Sequence, residues 1–155
     1  MKYVESGVTC VEVPDEVSQY YVISGCPMKC PECHSKDTWD IDKGIELTSE
    51  ELEKKIKSLK GVSCILFLGG EWYEHELVEY LKLAHKYYLH TALYTGLELK
   101  DVHQDIIEHL NYIKVGRYNE EYGPITSRTT NQRMYRVEHF VQVTGFKDIT
   151  EKFWR

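Results

Sequence analysis

The sequence predicts an α/β fold: an open, partial (β/α) barrel with a mostly parallel sheet, in a single domain over residues 1–155. Three observations carry this expectation. Short apolar runs alternate with segments of helical periodicity, which implies right-handed βαβ crossovers. The run Val62-Ser63-Cys64-Ile65-Leu66-Phe67-Leu68 is almost continuously apolar, as in a parallel strand covered on both faces. The chain has 155 residues, well short of the about 250 that a closed (β/α)8 barrel typically takes.

In chain order, residues 8–13 read as an edge strand ending at Pro14, and residues 19–24 as a second strand. Residues 34–47 are polar turn material around Trp39, with Gly44 breaking any helix. Thr48 and Glu51 form a capping-box pattern, with Glu50 and Glu51 suited to the first turn. The helix they open carries Leu52, Ile56 and Leu59 inward and stops at Gly61. The apolar run 62–68 ends at Gly69-Gly70-Glu71. A helix over about 73–87 follows, with Leu77, Leu81 and Ala84 inward. Next come a strand over 90–95 closed by Gly96, a short helix over 101–109, and a strand over 112–115 closed by Gly116. A polar stretch runs from Arg117 to Arg133, and Val137–Val143 is read as the last strand.

The net charge is −6, with no clear basic face, which argues against direct nucleic-acid binding. No run approaches the roughly 20 apolar residues of a membrane span, and the first residues lack the apolar core of a signal peptide. The expected location is cytoplasmic, a reducing compartment where clustered cysteines serve metal or redox sites more often than disulfides.

Three of the five cysteines fall in Gly25-Cys26-Pro27-Met28-Lys29-Cys30-Pro31-Glu32-Cys33-His34, spaced C-x3-C-x2-C. Gly25, Pro27 and Pro31 keep this stretch out of regular helix. It therefore forms a loop at a strand exit, with three thiols close enough to share one metal centre. Closed [4Fe-4S] clusters usually take four cysteines, so three leave one iron open. Cys10 and Cys64 lie in predicted strands, where a buried apolar role is expected. Zinc held by Cys26, Cys30, Cys33 and His34 is the competing metal reading, although adjacent Cys33 and His34 fit one tetrahedral ion poorly. The candidate stretches Cys26–His34, Gly69–Glu71, Tyr94–Gly96 and Gly116–Tyr118 all follow strands, where α/β sheets collect their sites.

The cysteine spacing after a first strand, with Gly69-Gly70-Glu71 after the next, resembles the radical S-adenosylmethionine superfamily. The resemblance implies a partial barrel of that type, with Cys26, Cys30 and Cys33 on a [4Fe-4S] cluster. It also implies S-adenosylmethionine chelating the open iron through its amino and carboxylate groups. Gly69, Gly70 and Glu71 would meet the amino group, and Glu32, Cys33 and His34 would line the cofactor. No further catalytic acid or base is implied.

The same loop, the short chain and Ser127-Arg128-Thr129-Thr130-Asn131-Gln132-Arg133 are similar to the activating proteins of anaerobic (class III) ribonucleoside-triphosphate reductases. That likeness runs from about Tyr20 to Arg136. It implies cleavage of S-adenosylmethionine to a 5′-deoxyadenosyl radical, which makes a glycyl radical on the large reductase subunit. It also implies a one-electron donor such as flavodoxin. One departure is Glu32, where many superfamily members place an aromatic residue against adenine. Tyr94 or Tyr118 would replace it, or each is a half-buried structural ring. Arg117, Arg128 and Arg133 either dock a partner or anion or are solvated charges. The alternatives to this function are activation of another glycyl radical enzyme, a small-molecule substrate, or a non-enzymatic iron-sulfur electron carrier or sensor.

Overall fold

The computed structural model describes residues 1–28 and 36–154. Among these, one mixed sheet of eight strands is covered on one face by helices. The strands are β1 (Lys2–Thr9), β2 (Ser18–Ile23), β3 (Ile45–Glu46), β4 (Cys64–Leu68), β5 (His90–Tyr94), β6 (Tyr112–Val115), β7 (Arg133–His139) and β8 (Thr144–Asp148). Their order is β3-β1-β2-β4-β5-β6-β7-β8. The helices are α1 (Ser49–Ser58), α2 (Glu74–Lys86) and the short α3 (Gln104–Ile107).

The central strands β2, β4, β5 and β6 are mutually parallel. Both flanks are antiparallel: β1 pairs with β2 and β3, and β7 with β6 and β8. The expectation of a mostly parallel sheet therefore holds only for its centre. β1 also replaces the expected strand over 8–13. The chain pairs from Lys2 and turns away after Thr9, because Val13 plugs the inner core while Val11 stays exposed. The strand expected over 137–143 straddles a hairpin. Val137 to His139 close β7, and the apolar run from Phe140 to Val143 forms the exposed tip before β8. The helix expected over 101–109 shrinks to a 3-10 turn at Leu99–Asp101 followed by α3.

The other helices form as their sequences direct. Thr48 caps α1, its hydroxyl accepting from the Glu51 amide at 3.2 Å. Leu52 and Ile56 are its buried positions, and Leu77, Tyr80, Leu81 and Ala84 are those of α2. They meet Tyr21, Ile23, Ile65, Phe67, Leu93 and Ile113 from the strands. Alternation sends Cys64, Leu66, Ala92, Tyr94, Tyr112 and Met134 to the opposite face. There, loop residues Val13, Ile125 and Ile149 cover them instead of helices.

The starts of the parallel strands are tied together by one carboxylate. Glu16, 7% exposed, precedes β2. Its Oε2 accepts from Ser63 Oγ, just before β4, at 2.5 Å. Its Oε1 lies 2.5 Å from His90 Nδ1 at the start of β5 and accepts from the Tyr112 hydroxyl at the start of β6 at 3.0 Å. Strands held together at one end finish together at the other. Val22, Leu68, Tyr94 and Lys114 accordingly share one row across the sheet.

Replacing Glu16 strands three neighbouring polar groups, so Glu16→Ala is expected to destabilise the fold by about 2–3 kcal/mol. Glu16→Gln, which keeps two acceptor and donor positions, should lose less. Urea unfolding of the two variants checks the order.

Candidate cofactor site

The carboxyl ends of β2, β4, β5 and β6 lie at the same edge of the sheet, and the chain leaves each through a candidate stretch. After β2, Ser24 donates its amide to the Lys2 carbonyl at 3.0 Å. Gly25 and Cys26 both donate theirs to the Thr38 carbonyl, at 2.6 and 3.1 Å. Gly25 needs its positive φ of 92° to make that turn. Cys26 thus leaves the sheet in a fixed direction and lines a cavity of about 450 Å3. Cys30, Glu32, Cys33 and His34 lie outside the described residues.

After β4, Gly69 and Gly70 take φ values of 84° and 106°. The Gly69 amide donates to the Tyr94 carbonyl at 2.8 Å. A Cβ on Gly69 would sit 2.6 Å from Cη2 of Trp72. The indole lies over the glycine and donates Nε1–H to the Ser24 carbonyl at 3.2 Å. Trp72 therefore clamps the turn after β4 to the entry of the cysteine loop.

Glu71 comes next. Its Oε1 accepts from Thr95 Oγ1 at 2.7 Å, while Oε2 is buried with no hydrogen-bond partner among the described residues. Thr95 Oγ1 in turn accepts from the Leu97 amide at 3.1 Å, so its own proton is directed at the carboxylate. Burial pushes the Glu71 carboxyl above its ordinary range, and the Thr95 hydrogen bond opposes this only in part. A desolvated carboxylate with one empty acceptor suits an ammonium group. The glycines beside it leave backbone bare where side chains would fill the space. The residues present therefore fit the amino-acid end of S-adenosylmethionine.

The remaining expectations divide. Cys64 is fully buried in β4, its thiol pushed up to about 12 by desolvation. Cys10 is exposed in a bend after β1, which corrects the expected buried position, because β1 ends one residue earlier. Tyr94 is buried, its hydroxyl donating to the Glu12 carbonyl and its ring face covered by Lys114 Nζ at 4.4 Å from the centroid. Tyr118 and exposed Arg117 line the cavity. Arg133 pairs with Asp148 at 3.6 Å, and Arg128 stacks over Trp154.

Sequence reasoning had Thr95 only within the stretch Tyr94–Gly96, and it missed Trp72 and Lys114. The last carried a signal: it is the one charge in the buried strand Tyr112-Ile113-Lys114-Val115, on the same side as Tyr112.

Residues 15–138 match the family described as a 4Fe-4S single cluster domain. The chain belongs to this family. It is also 33% identical over 96 residues to a pyruvate formate-lyase-activating enzyme of Clostridium pasteurianum, covering 57% of this chain and 40% of the relative. A pyruvate formate-lyase 1-activating enzyme of Escherichia coli is 50% identical over 32 residues, 21% of this chain and 13% of its own. A 7-carboxy-7-deazaguanine synthase of Pyrobaculum aerophilum is 37% identical over 49 residues, 32% of this chain and 22% of its own. The chain thus spans well under half the length of each of these relatives. The cofactors are a [4Fe-4S] cluster and S-adenosylmethionine. Among the described residues no helix is long and apolar enough to cross a membrane.

The raised Glu71 carboxyl fixes a pH dependence. A carboxyl whose folded value lies above its unfolded one is neutral in acid in both states and loses stability for the fold as pH rises through the folded value. Glu71→Gln removes the buried charge. Its melting temperature should exceed that of the wild type at neutral pH, and the difference should close in acid. Thermal unfolding followed by circular dichroism across pH 4–8 measures this.

Proposed function

We propose that this protein is a radical S-adenosylmethionine enzyme that makes a glycyl radical on the large subunit of an anaerobic ribonucleoside-triphosphate reductase. The observation that carries the reading is the joined pair of loops. The start of the three-cysteine loop after β2 and the Gly69-Gly70-Glu71 turn after β4 are locked together by Trp72, and Glu71 presents an unmet carboxylate oxygen.

In this reading residues 1–155 form one cytoplasmic domain, an open partial (β/α) barrel. Cys26, Cys30 and Cys33 hold the iron. Gly69, Gly70 and Glu71 take the amino group of S-adenosylmethionine, and Glu32, Cys33 and His34 line it. With cluster and cosubstrate bound, the chemistry supplied is one-electron reductive cleavage of the S–C5′ bond, the electron coming from a donor such as flavodoxin. The protein's own part is orientation. Thr95 and Leu97 hold Glu71 in place, and Trp72 ties the neighbouring turn to Ser24, just before the cysteine loop.

The choice of the reductase rests on the segment Thr130-Asn131-Gln132-Arg133 and on its placement. Asn131 Nδ2 donates to the Arg117 carbonyl at 2.9 Å and Gln132 Nε2 to the Gly116 carbonyl at 3.2 Å. The segment is thereby folded against the end of β6, and Gln132 lines the cavity. The relatives named as pyruvate formate-lyase activators favour a second reading, in which that enzyme is the target.

The test is anaerobic. Reconstituted, reduced protein should convert S-adenosylmethionine to methionine and 5′-deoxyadenosine, and a glycyl doublet should appear by EPR in the reductase subunit. A doublet only in pyruvate formate-lyase moves the target to the second reading, and absence of cleavage with an intact cluster removes both. Cys26→Ala, Cys30→Ala and Cys33→Ala should each abolish cleavage, while Cys10→Ala and Cys64→Ala keep the iron content of the wild type. Glu71→Ala should retain the cluster and bind S-adenosylmethionine about tenfold or more weakly, as loss of a charge-assisted hydrogen bond implies.

A further inference from the structure

The cavity lined by Cys26 and Met28 has a charged wall that the cofactor reading leaves unused. Lys114 projects into it from β6, with Nζ over the Tyr94 ring. The ammonium has no hydrogen bond or ion pair with any described residue. Glu12 lines the same cavity from the loop after β1, its backbone carbonyl held by the Tyr94 hydroxyl. Its carboxylate likewise has no hydrogen-bond partner among the described residues. The two charges sense each other, since Glu12 favours the protonated form of Lys114 against the larger effect of burial. Yet they do not close into an ion pair.

We propose that Lys114 and Glu12 grip the backbone of the peptide segment that carries the reacting glycine, Lys114 donating to a carbonyl and Glu12 accepting from an amide. This rests on the reading of the protein as an activator of a glycyl radical enzyme, and it names the part of the site that recognises the substrate.

Charge, position and environment all favour a peptide backbone here. The first is charge. One cation and one anion, near but unpaired, sum to no net charge. They match a neutral ligand that offers an acceptor and a donor a few ångströms apart, which is what a peptide backbone offers. An anionic ligand would meet Glu12, and a cationic one Lys114.

The second is position. The amino and carboxylate groups of S-adenosylmethionine sit on one carbon, so a carboxylate whose amino group is at Glu71 stays near the end of β4. Lys114 is in the same row as Leu68 and Tyr94 but on β6, two strands away from β4. At about 4.8 Å per strand the two backbones are about 10 Å apart, and Nζ lies over Tyr94 on the strand between them. Thr95, which holds Glu71, stands between them. Lys114 is therefore placed beyond the methionine end of the cofactor, where a substrate would lie.

The third is environment. Tyr94, Ile125 and Met28 make the surroundings apolar, so hydrogen bonds to these two charges gain strength there. A glycine without Cβ lets the gripped backbone come close to the wall.

The experiment uses the cluster-loaded, oxidised protein with S-adenosylmethionine, which binds substrate without turning it over. The probes are two fluorescein-labelled, end-capped peptides. One carries the radical-site glycine of the reductase subunit, the other that of pyruvate formate-lyase. Fluorescence anisotropy gives their affinities and calorimetry that of S-adenosylmethionine. Lys114→Met is expected to weaken the cognate peptide about tenfold or more, with Lys114→Arg recovering part of the loss. Glu12→Gln should weaken it less, since the amide oxygen still accepts. In every variant the loss of peptide affinity should exceed the loss of S-adenosylmethionine affinity. The reverse order in Lys114→Met assigns the ammonium to the cofactor and overturns the proposal, as does equal peptide affinity in Lys114→Met and wild type. If the wild type makes no glycyl radical in either partner, the activator reading falls and this inference with it. Radical formation together with unaltered peptide binding by Lys114→Met removes this inference alone.

Discussion

The Glu16 carboxylate reaches Ser63, His90 and Tyr112, groups at the starts of three different parallel strands, and it sits just before the fourth. That convergence governs the opposite edge. Because β2, β4 and β5 begin level and run in register, Val22, Leu68 and Tyr94 end level. β6 joins the same row through Lys114. The loops that leave those residues emerge side by side, and Cys26, the Gly-Gly-Glu turn, Thr95 and Gly116 come together without any of them being near in sequence. A slip of one strand by one residue would turn its row to the other face and send Lys114 or Tyr94 among the helices.

Glu16 and Glu71 both carry desolvated carboxylates, and they differ in how fully these are met. Glu16 is saturated: each oxygen has a close partner. Glu71 has one partner, Thr95, and one buried oxygen with none among the described residues. A protein selected for stability alone would fill that position or replace the charge, since desolvation without compensation opposes folding. The unmet capacity persists because Gly69 and Gly70 hold the turn open and Trp72 locks it against Ser24. The rigidity that keeps this oxygen without a partner among the described residues comes from the indole packed on Gly69 and bonded to Ser24.

The central strands, both long helices and the cap at Thr48 were legible because their signals are local: periodicity, a continuous apolar run, a hydroxyl ahead of a glutamate. The misplaced strands share one cause, that apolarity alone does not say where a strand turns. Val11 and Val13 looked like strand residues, yet one is exposed and the other plugs the inner face. Phe140 to Val143 looked like a strand and is a hairpin tip. Lys2–Thr9, rich in polar residues, pairs with β2 near the sheet's edge, where β3 meets only Lys2 and Tyr3 and no continuous apolar pattern is needed. Of the site, Gly69-Gly70-Glu71 and the cysteine spacing could be read as motifs. Thr95 and Trp72 could not, since their parts depend on distances across strands that no linear spacing encodes.

The two faces of the sheet explain why the polar groups of the cavity survive unpaired. The helix-covered face carries the large core, with Leu52, Phe67, Leu77, Leu81 and Leu93 fully or almost fully buried, and so holds most of the apolar area that drives folding. The other face is closed only by loops, and the charges of Glu12 and Lys114 face its cavity. An unmet hydrogen bond there weakens the fold without threatening it, because the stabilising area lies on the far side of the sheet. The same division fixes what binding does. A ligand that filled the cavity and brought an acceptor to Lys114 and a donor to Glu12 would satisfy both charges at once.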